Sequence, residues 1–178
     1  MNRFRGENYV IVRPSLTRDK RLNTVHSLAR FSWQKGKLAS SRLANMSAIS
    51  TECYASDLNE MNILVDPDSG EITVVVDWTG ASILPFGFAL YALESALGSM
   101  GSSGWIWFDN VDDLRDTFWK AFREQTGLSN LQTRLIKLAG KAGILIRYGT
   151  AYDSGLSGMI GVRDSNTEDF TYLDALLF

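Results

Sequence analysis

Cysteine occurs once in this 178-residue chain, at Cys53, histidine once, at His26, and proline three times. One cysteine excludes an internal disulfide and a cysteine-based metal cluster. Cys53 has no base beside it in sequence and reads as a small buried apolar residue. No Gly-x-Ser-x-Gly elbow accompanies His26, so a hydrolase triad built on it has no support; it reads as a surface or partly packed helix residue. No stretch approaches the roughly 18 uncharged apolar residues that span a bilayer. The longest apolar run, residues 81–93, holds Ser82, Pro85 and Gly87 and reads as a buried helix. The N-terminal Met-Asn-Arg-Phe-Arg-Gly-Glu lacks the apolar core of a secretory signal. A soluble, cytoplasmic protein without a membrane partner is the expectation.

An apolar fraction of 45%, with five Trp and nine Phe, is enough to build a real core in one domain. The Trp and Phe stripes read as core rather than as a platform for stacking nucleotides. Charge is uneven beneath a net −2. Residues 1–47 hold ten Lys/Arg against two acids, Glu7 and Asp19, and the remainder holds eight against eighteen. A basic segment of this kind suits nucleic acid or acidic lipid. No zinc finger, RNA-binding sheet motif or helix-turn-helix accompanies it. The favoured reading is therefore a solvated helix face, or a tail that pairs with the chain's own acidic part; a nucleic-acid partner is not expected.

The pattern along the chain predicts an α+β, mostly helical fold. Residues 1–50 form a basic, poorly patterned segment. Tyr9–Val12 suggests a short strand ended by Pro14, and residues 22–46 a loose helix interrupted at Gly36. From Asn62 the signal sharpens. Asn62-Ile-Leu-Val65 and Glu71-Ile-Thr-Val-Val-Val-Asp-Trp78 flank the turn Asp66-Pro-Asp-Ser-Gly70, which makes a β-hairpin. Both arms are apolar, so burial against helices is expected. Asp66 and Asp68 read as turn formers. Pro85 suits the first turn of a helix through Leu97, with Gly98, Gly101 and Gly104 in a loop after it. Trp105–Phe108 reads as core. Asp109 or Asn110 would cap a helix whose apolar face is Val111, Leu114, Phe118, Trp119 and Phe122, stopped by Gly127. Ser129 or Asn130 would cap the next, with Leu131, Leu135, Ile136, Leu138 and Ala142 on its core face. A loop from Gly155 to Asp164 precedes a last short helix, Phe170–Leu177.

The chemistry-bearing feature is the spacing around the hairpin. Asp57 precedes Asn62 by five residues, Asn62 opens the first arm, and Asp77 closes the second. A hairpin brings its ends together, so Asn62 and Asp77 become neighbours with Asp57 on the loop leading in. Phosphoryl transfer from ATP needs one carboxylate to orient the attacking hydroxyl and accept its proton. It also needs a carboxylate and an amide oxygen to hold Mg²⁺ against the phosphates. Asp-x-x-x-x-Asn alone is a weak signal; followed by an apolar hairpin ending in Asp, it gains specificity.

The run Ser56-Asp-Leu-Asn-Glu-Met-Asn-Ile-Leu-Val-Asp-Pro-Asp-Ser-Gly-Glu-Ile-Thr-Val-Val-Val-Asp-Trp78 resembles the catalytic loop and metal hairpin of aminoglycoside phosphotransferase/choline kinase-like proteins, most closely their fungal branch. The similarity continues through Pro85-Phe-Gly-Phe88, Gly104-Trp105, Leu114-Arg-Asp-Thr-Phe-Trp119, Leu145-Ile-Arg-Tyr-Gly149 and Tyr172-Leu-Asp174. The resemblance implies that residues 51–178 form the C-terminal lobe of a protein-kinase-like fold. It makes Asp57 the catalytic base, Asn62 and Asp77 the magnesium ligands, ATP and Mg²⁺ the cofactors, and a small-molecule hydroxyl the substrate. Two departures accompany it. Ala55 stands where the family's loop carries a bracing His. The residues before the loop show no Gly-rich strand-turn-strand and no strand-borne Lys, so the nucleotide-covering N-terminal lobe is expected to be absent. Three readings follow: a phosphotransferase, a catalytically inactive remnant that binds a protein partner or self-associates over the exposed cleft floor, and a basic-armed nucleic-acid binder. Glu94, mid-helix in an apolar stretch, could face a substrate groove or form a salt bridge.

Overall fold

The computed structural model describes residues 5–40, 51–54, 58–77, 82–85, 87–152, 159–162 and 168–177. The chain is α+β and mostly helical. It enters as strand β1 (Glu7–Asn8), passes through helical turn α1 (Tyr9–Val12) and a 3₁₀ turn (Arg13–Ser15), and continues as helix α2 (Arg18–Ser40). The strand expected over Tyr9–Val12 is thus a helical turn. Asn8 supplies the reason: its side chain accepts from the Val10 amide at 3.0 Å, capping the turn. Tyr9 and Val12, three residues apart, then share one face and are both buried. α2 runs through Gly36 without the expected break. One helical glycine costs about 1 kcal/mol, and α2 already buries Val25, Leu28 and Ala29 against the core.

The basic segment pairs with the acidic part of its own chain. Arg18 pairs with Asp113, Arg21 with Asp109 at 3.1 Å, and Lys20 Nζ donates to the Pro67 carbonyl at 2.8 Å. The Arg21 guanidinium also lies 4.0 Å from the centre of the Phe108 ring.

Among the described residues, four small antiparallel sheets stand where one hairpin was expected. β1 pairs with β3 (Ile63–Val65), which pairs with β4 (Ile72–Val75). β2 (Thr51–Tyr54) pairs with β5 (Ser82–Pro85). The expected helix start at Pro85 is therefore a strand end. This two-stranded sheet has only edges, so a residue without an N–H fits it. The glycine-rich stretch after helix α3 (Tyr91–Ala96) is a hairpin rather than a loop, β6 (Gly98–Gly101) with β7 (Gly104–Trp107). β8 (Thr150–Tyr152) and β9 (Met159–Val162) form the last pair, where a loop was expected.

Helix α4 (Val111–Thr126) buries Leu114, Phe118 and Phe122, with the two Phe rings stacked at 5.7 Å. This is the expected face, and Gly127 ends it at φ 66°. Around it gather Tyr9, Val25, Leu28, Ile63 and Val65, so the segment before the hairpin shares one core with it. Helix α5 (Asn130–Gly149) begins at Ser129 with a reciprocal capping box to Gln132. Helix α6 (Glu168–Leu177) packs Leu173 and Leu176 with Tyr91, Ile144 and Tyr148 in a second cluster.

The core face of α5 is not the one the leucines mark. Ile136 is buried, but Leu131, Leu135 and Leu138 are exposed; the inward side carries Thr133, Ile136, Gly143, Ile144 and Tyr148. The cause is a close backbone approach. A Cβ on Gly143 would lie 2.0 Å from the Phe88 carbonyl oxygen, in the 3₁₀ turn Phe88–Leu90. Only a face without side chains at that level admits the turn. Gly143→Ala should therefore destabilise the protein by about 1–3 kcal/mol in urea unfolding. Helix propensity alone would stabilise it by about 1 kcal/mol.

Candidate functional site

The hairpin positions the two described candidate ligands. Asn59 opens a 3₁₀ turn (Glu60–Asn62) by accepting the Met61 amide on its side chain at 2.8 Å. Asn62 ends that turn and leads into β3. The register sets Ile63 opposite Val75, and the Val76 amide donates to the Asn62 carbonyl at 2.9 Å. Asp77 follows directly, so Asn62 and Asp77 stand at the same end of the hairpin. At the other end the Asp66 side chain accepts from the Asp68 amide at 2.8 Å, which makes Asp66 the turn former expected. Asn23 and Thr24 of α2 donate to the Ser69 and Gly70 carbonyls at 2.8 and 2.7 Å and pin the turn.

Asp77 is the one non-glycine residue with positive φ among the described residues, at 55°. Aspartate tolerates this left-handed conformation better than most residues, yet at some cost. It is exposed, and Asn62 is half-buried. Asp57 and Ala55 lie outside the described residues, as does Trp78. An Asn amide oxygen and an Asp carboxylate are hard donors of the kind Mg²⁺ takes, with phosphate oxygens and water completing its six positions. Among the described residues no group of three or more His, Cys, Asp or Glu side chains could hold a metal ion. Two such donors fill two of the six positions of a magnesium ion.

No protein-family model, curated protein or solved structure matches the chain.

A buried brace that the spacing argument missed lies behind the hairpin. Glu60, inside the Leu-Asn-Glu-Met-Asn run, pairs with Arg13 at 3.6 Å, both side chains about nine-tenths buried. The pair ties the segment before α2 to the turn that carries Asn62. Breaking such a pair from one side costs about 3–5 kcal/mol, because the other charge stays buried. Glu60 sits between two candidate site residues in sequence, which was the available signal; Arg13, 47 positions away, gave none. Asn8 adds a second tie by donating to the Met61 carbonyl.

Two buried tyrosines lie within electrostatic reach of Glu60. The Tyr9 hydroxyl donates to the Ala96 carbonyl at 2.7 Å, and Tyr148 stacks on Tyr172 at 5.2 Å. Burial pushes both phenols far above the ordinary tyrosine range. The Glu60 charge pushes the same way, more weakly, and arginines oppose it.

The remaining candidates fall to structural roles. Glu94 is held by Arg115 through two nitrogens, Nη2 at 2.9 Å and Nε at 3.0 Å. It also lines an open groove of about 710 Å³ with Trp107, Trp119, Lys137 and Lys141; of the two readings left open for it, the salt bridge is the one the contacts show. His26 is half-buried on α2, its Nδ1 3.3 Å from Arg30. Cys53 lies in β2 opposite Ile83; its side chain lies outside the described residues. Among the described residues no helix is long and apolar enough to cross a membrane.

Two predictions follow from these side chains. Above about pH 10 an unfolded tyrosine ionises while these two stay protonated, so the folded state binds more protons. Stability should be complete below that pH and fall as pH rises beyond it. Tyr9→Phe should lose about 1 kcal/mol at neutral pH with the Ala96 bond but show a shallower alkaline decline, measured by urea unfolding across the range. At Asp77, Gly should match the wild type or stabilise by up to about 1 kcal/mol, whereas Val should destabilise by about 1–2 kcal/mol. Equal losses in the two variants would show that φ at this position carries no strain.

Proposed function

We propose that this chain carries the magnesium and proton-handling floor of a phosphotransferase acting on a small-molecule hydroxyl. Asn62 and Asp77 supply oxygens to the metal of a Mg·ATP complex, and Asp57 orients the acceptor hydroxyl and takes its proton. The observation that carries this reading is the placement of Asn62 and Asp77 at one end of a hairpin whose register is fixed by burial, with Asp77 held in a left-handed conformation. Backbone outliers of this kind concentrate at functional sites. Mg²⁺, when bound with its nucleotide, neutralises charge that develops on the transferred phosphoryl group. The chain's own contribution is positional: a rigid strand end for Asn62, a fixed backbone angle for Asp77, and the Arg13–Glu60 pair behind them.

A second reading is an interaction protein with the same floor and no catalysis. It is favoured by β1 and α2, which pack where they cover the outer edge and the turn of the hairpin, and by Ala55 in place of a loop-bracing histidine. Calorimetric titration of the purified chain with ATP and Mg²⁺ separates the two. The phosphotransferase reading expects magnesium-dependent binding, weakened at least about tenfold, or 1.4 kcal/mol, in Asp77→Ala. Absence of binding at millimolar nucleotide by a folded chain would remove it in favour of the interaction protein.

A further inference from the structure

Helix α5 carries an exposed leucine seam that no described residue covers. Leu131, Leu135, Leu138 and Leu145 are 66, 47, 64 and 46% exposed. Eight large apolar side chains are exposed among the described residues, and these are half of them. Their placement is regular. With half-buried Ala142 between Leu138 and Leu145, the spacing is four, three, four, three, the a/d repeat of a helix that packs against another helix. The seam is about 21 Å long at 1.5 Å per residue. It lies on the side away from the Ile136, Gly143, Ile144 and Tyr148 face already used by the core.

Charge selects the occupant. α5 contains four cations, Arg134, Lys137, Lys141 and Arg147, and no acid. Arg134 and Lys141 stand one heptad apart beside the leucines, both exposed. Among the described residues Arg134, Lys137 and Lys141 form no salt bridge. A second copy of α5 would bring cations to cations with no acid on either helix to answer them. A membrane surface calls for a broad apolar face with aromatic residues; this seam is narrow and carries none. We propose that the outer face of α5 docks an acidic amphipathic helix of a partner protein, with leucine-type residues seated between Leu131, Leu135, Leu138 and Leu145 and carboxylates facing Arg134 and Lys141.

The test uses the whole chain and a synthetic peptide of about three heptads with Leu at a and d and Glu at e and g, whose own charges keep it from self-pairing. Fluorescence anisotropy should give a Kd on the order of 10 μM. The same peptide with Lys at e and g should bind at least about tenfold more weakly, as should the acidic peptide to the Leu135→Ser/Leu138→Ser double variant. These leucines are exposed, so the variant keeps its core. A charge-reversed Arg134→Glu/Lys141→Glu variant should switch preference to the Lys peptide. No binding of the acidic peptide, or undiminished binding to the serine variant, would overturn the proposal. So would leucine-dependent self-association in sedimentation, or tighter binding of the chain to vesicles with phosphatidylserine than to the peptide.

Discussion

The hydrogen bond from the Val76 amide to the Asn62 carbonyl, 2.9 Å long, closes the hairpin at the end that carries Asn62 and Asp77. Its position is not free to vary. Ile63, Val65 and Val75 are buried on one face of the pair, and a slip of either strand by one residue would turn its buried side chains toward solvent. The buried side chains therefore choose the register, and the register chooses which polar residues meet at the strand ends. Asn62 and Asp77 are neighbours because three apolar side chains must be inside.

What surrounds the hairpin keeps that end in place. Arg13 and Glu60 form a buried pair beneath the 3₁₀ turn that delivers Asn62. Tyr9 buries its ring in the main core and donates its hydroxyl to Ala96, the last residue of α3. α2 holds the far turn through Asn23 and Thr24 and lies along α4 through Arg18 and Arg21. Four cations of the basic segment, Arg13, Arg18, Lys20 and Arg21, are thus engaged within the molecule. α5 differs: Arg134 and Lys141 are exposed beside its exposed leucines.

Features fixed by local chemistry were legible in the sequence. The Asp66 turn, a helix cap at Ser129 or Asn130, the Gly127 stop and the α4 face each depend on residues within a turn or two. The placement of Asn62 and Asp77 at one end of the hairpin was legible for the same reason, because a short hairpin needs no distant contact. Features decided by distant backbone were not. Apolar Tyr9–Val12 has strand composition, but the Asn8 cap and the core around Tyr9 make it a helical turn. The leucines of α5 look like a core stripe until the Phe88 turn claims the glycine face. Pro85 and the glycines after Leu97 carry signals for a helix and a loop, and cross-strand pairing overrides both. Arg13 and Glu60 meet only through the fold.

In the proposed phosphotransferase, Asn62 and Asp77 together bind the metal of a nucleotide complex. Paramagnetic broadening tests it at the residue level: Mn²⁺ added in substoichiometric amounts to the ¹⁵N-labelled chain with ATP. Broadening centred on the amides of Asn62, Val76 and Asp77, and lost in Asp77→Ala, is the result predicted. Broadening spread over surface acids such as Asp112, Asp113 and Asp116, with those three amides unaffected, would contradict it.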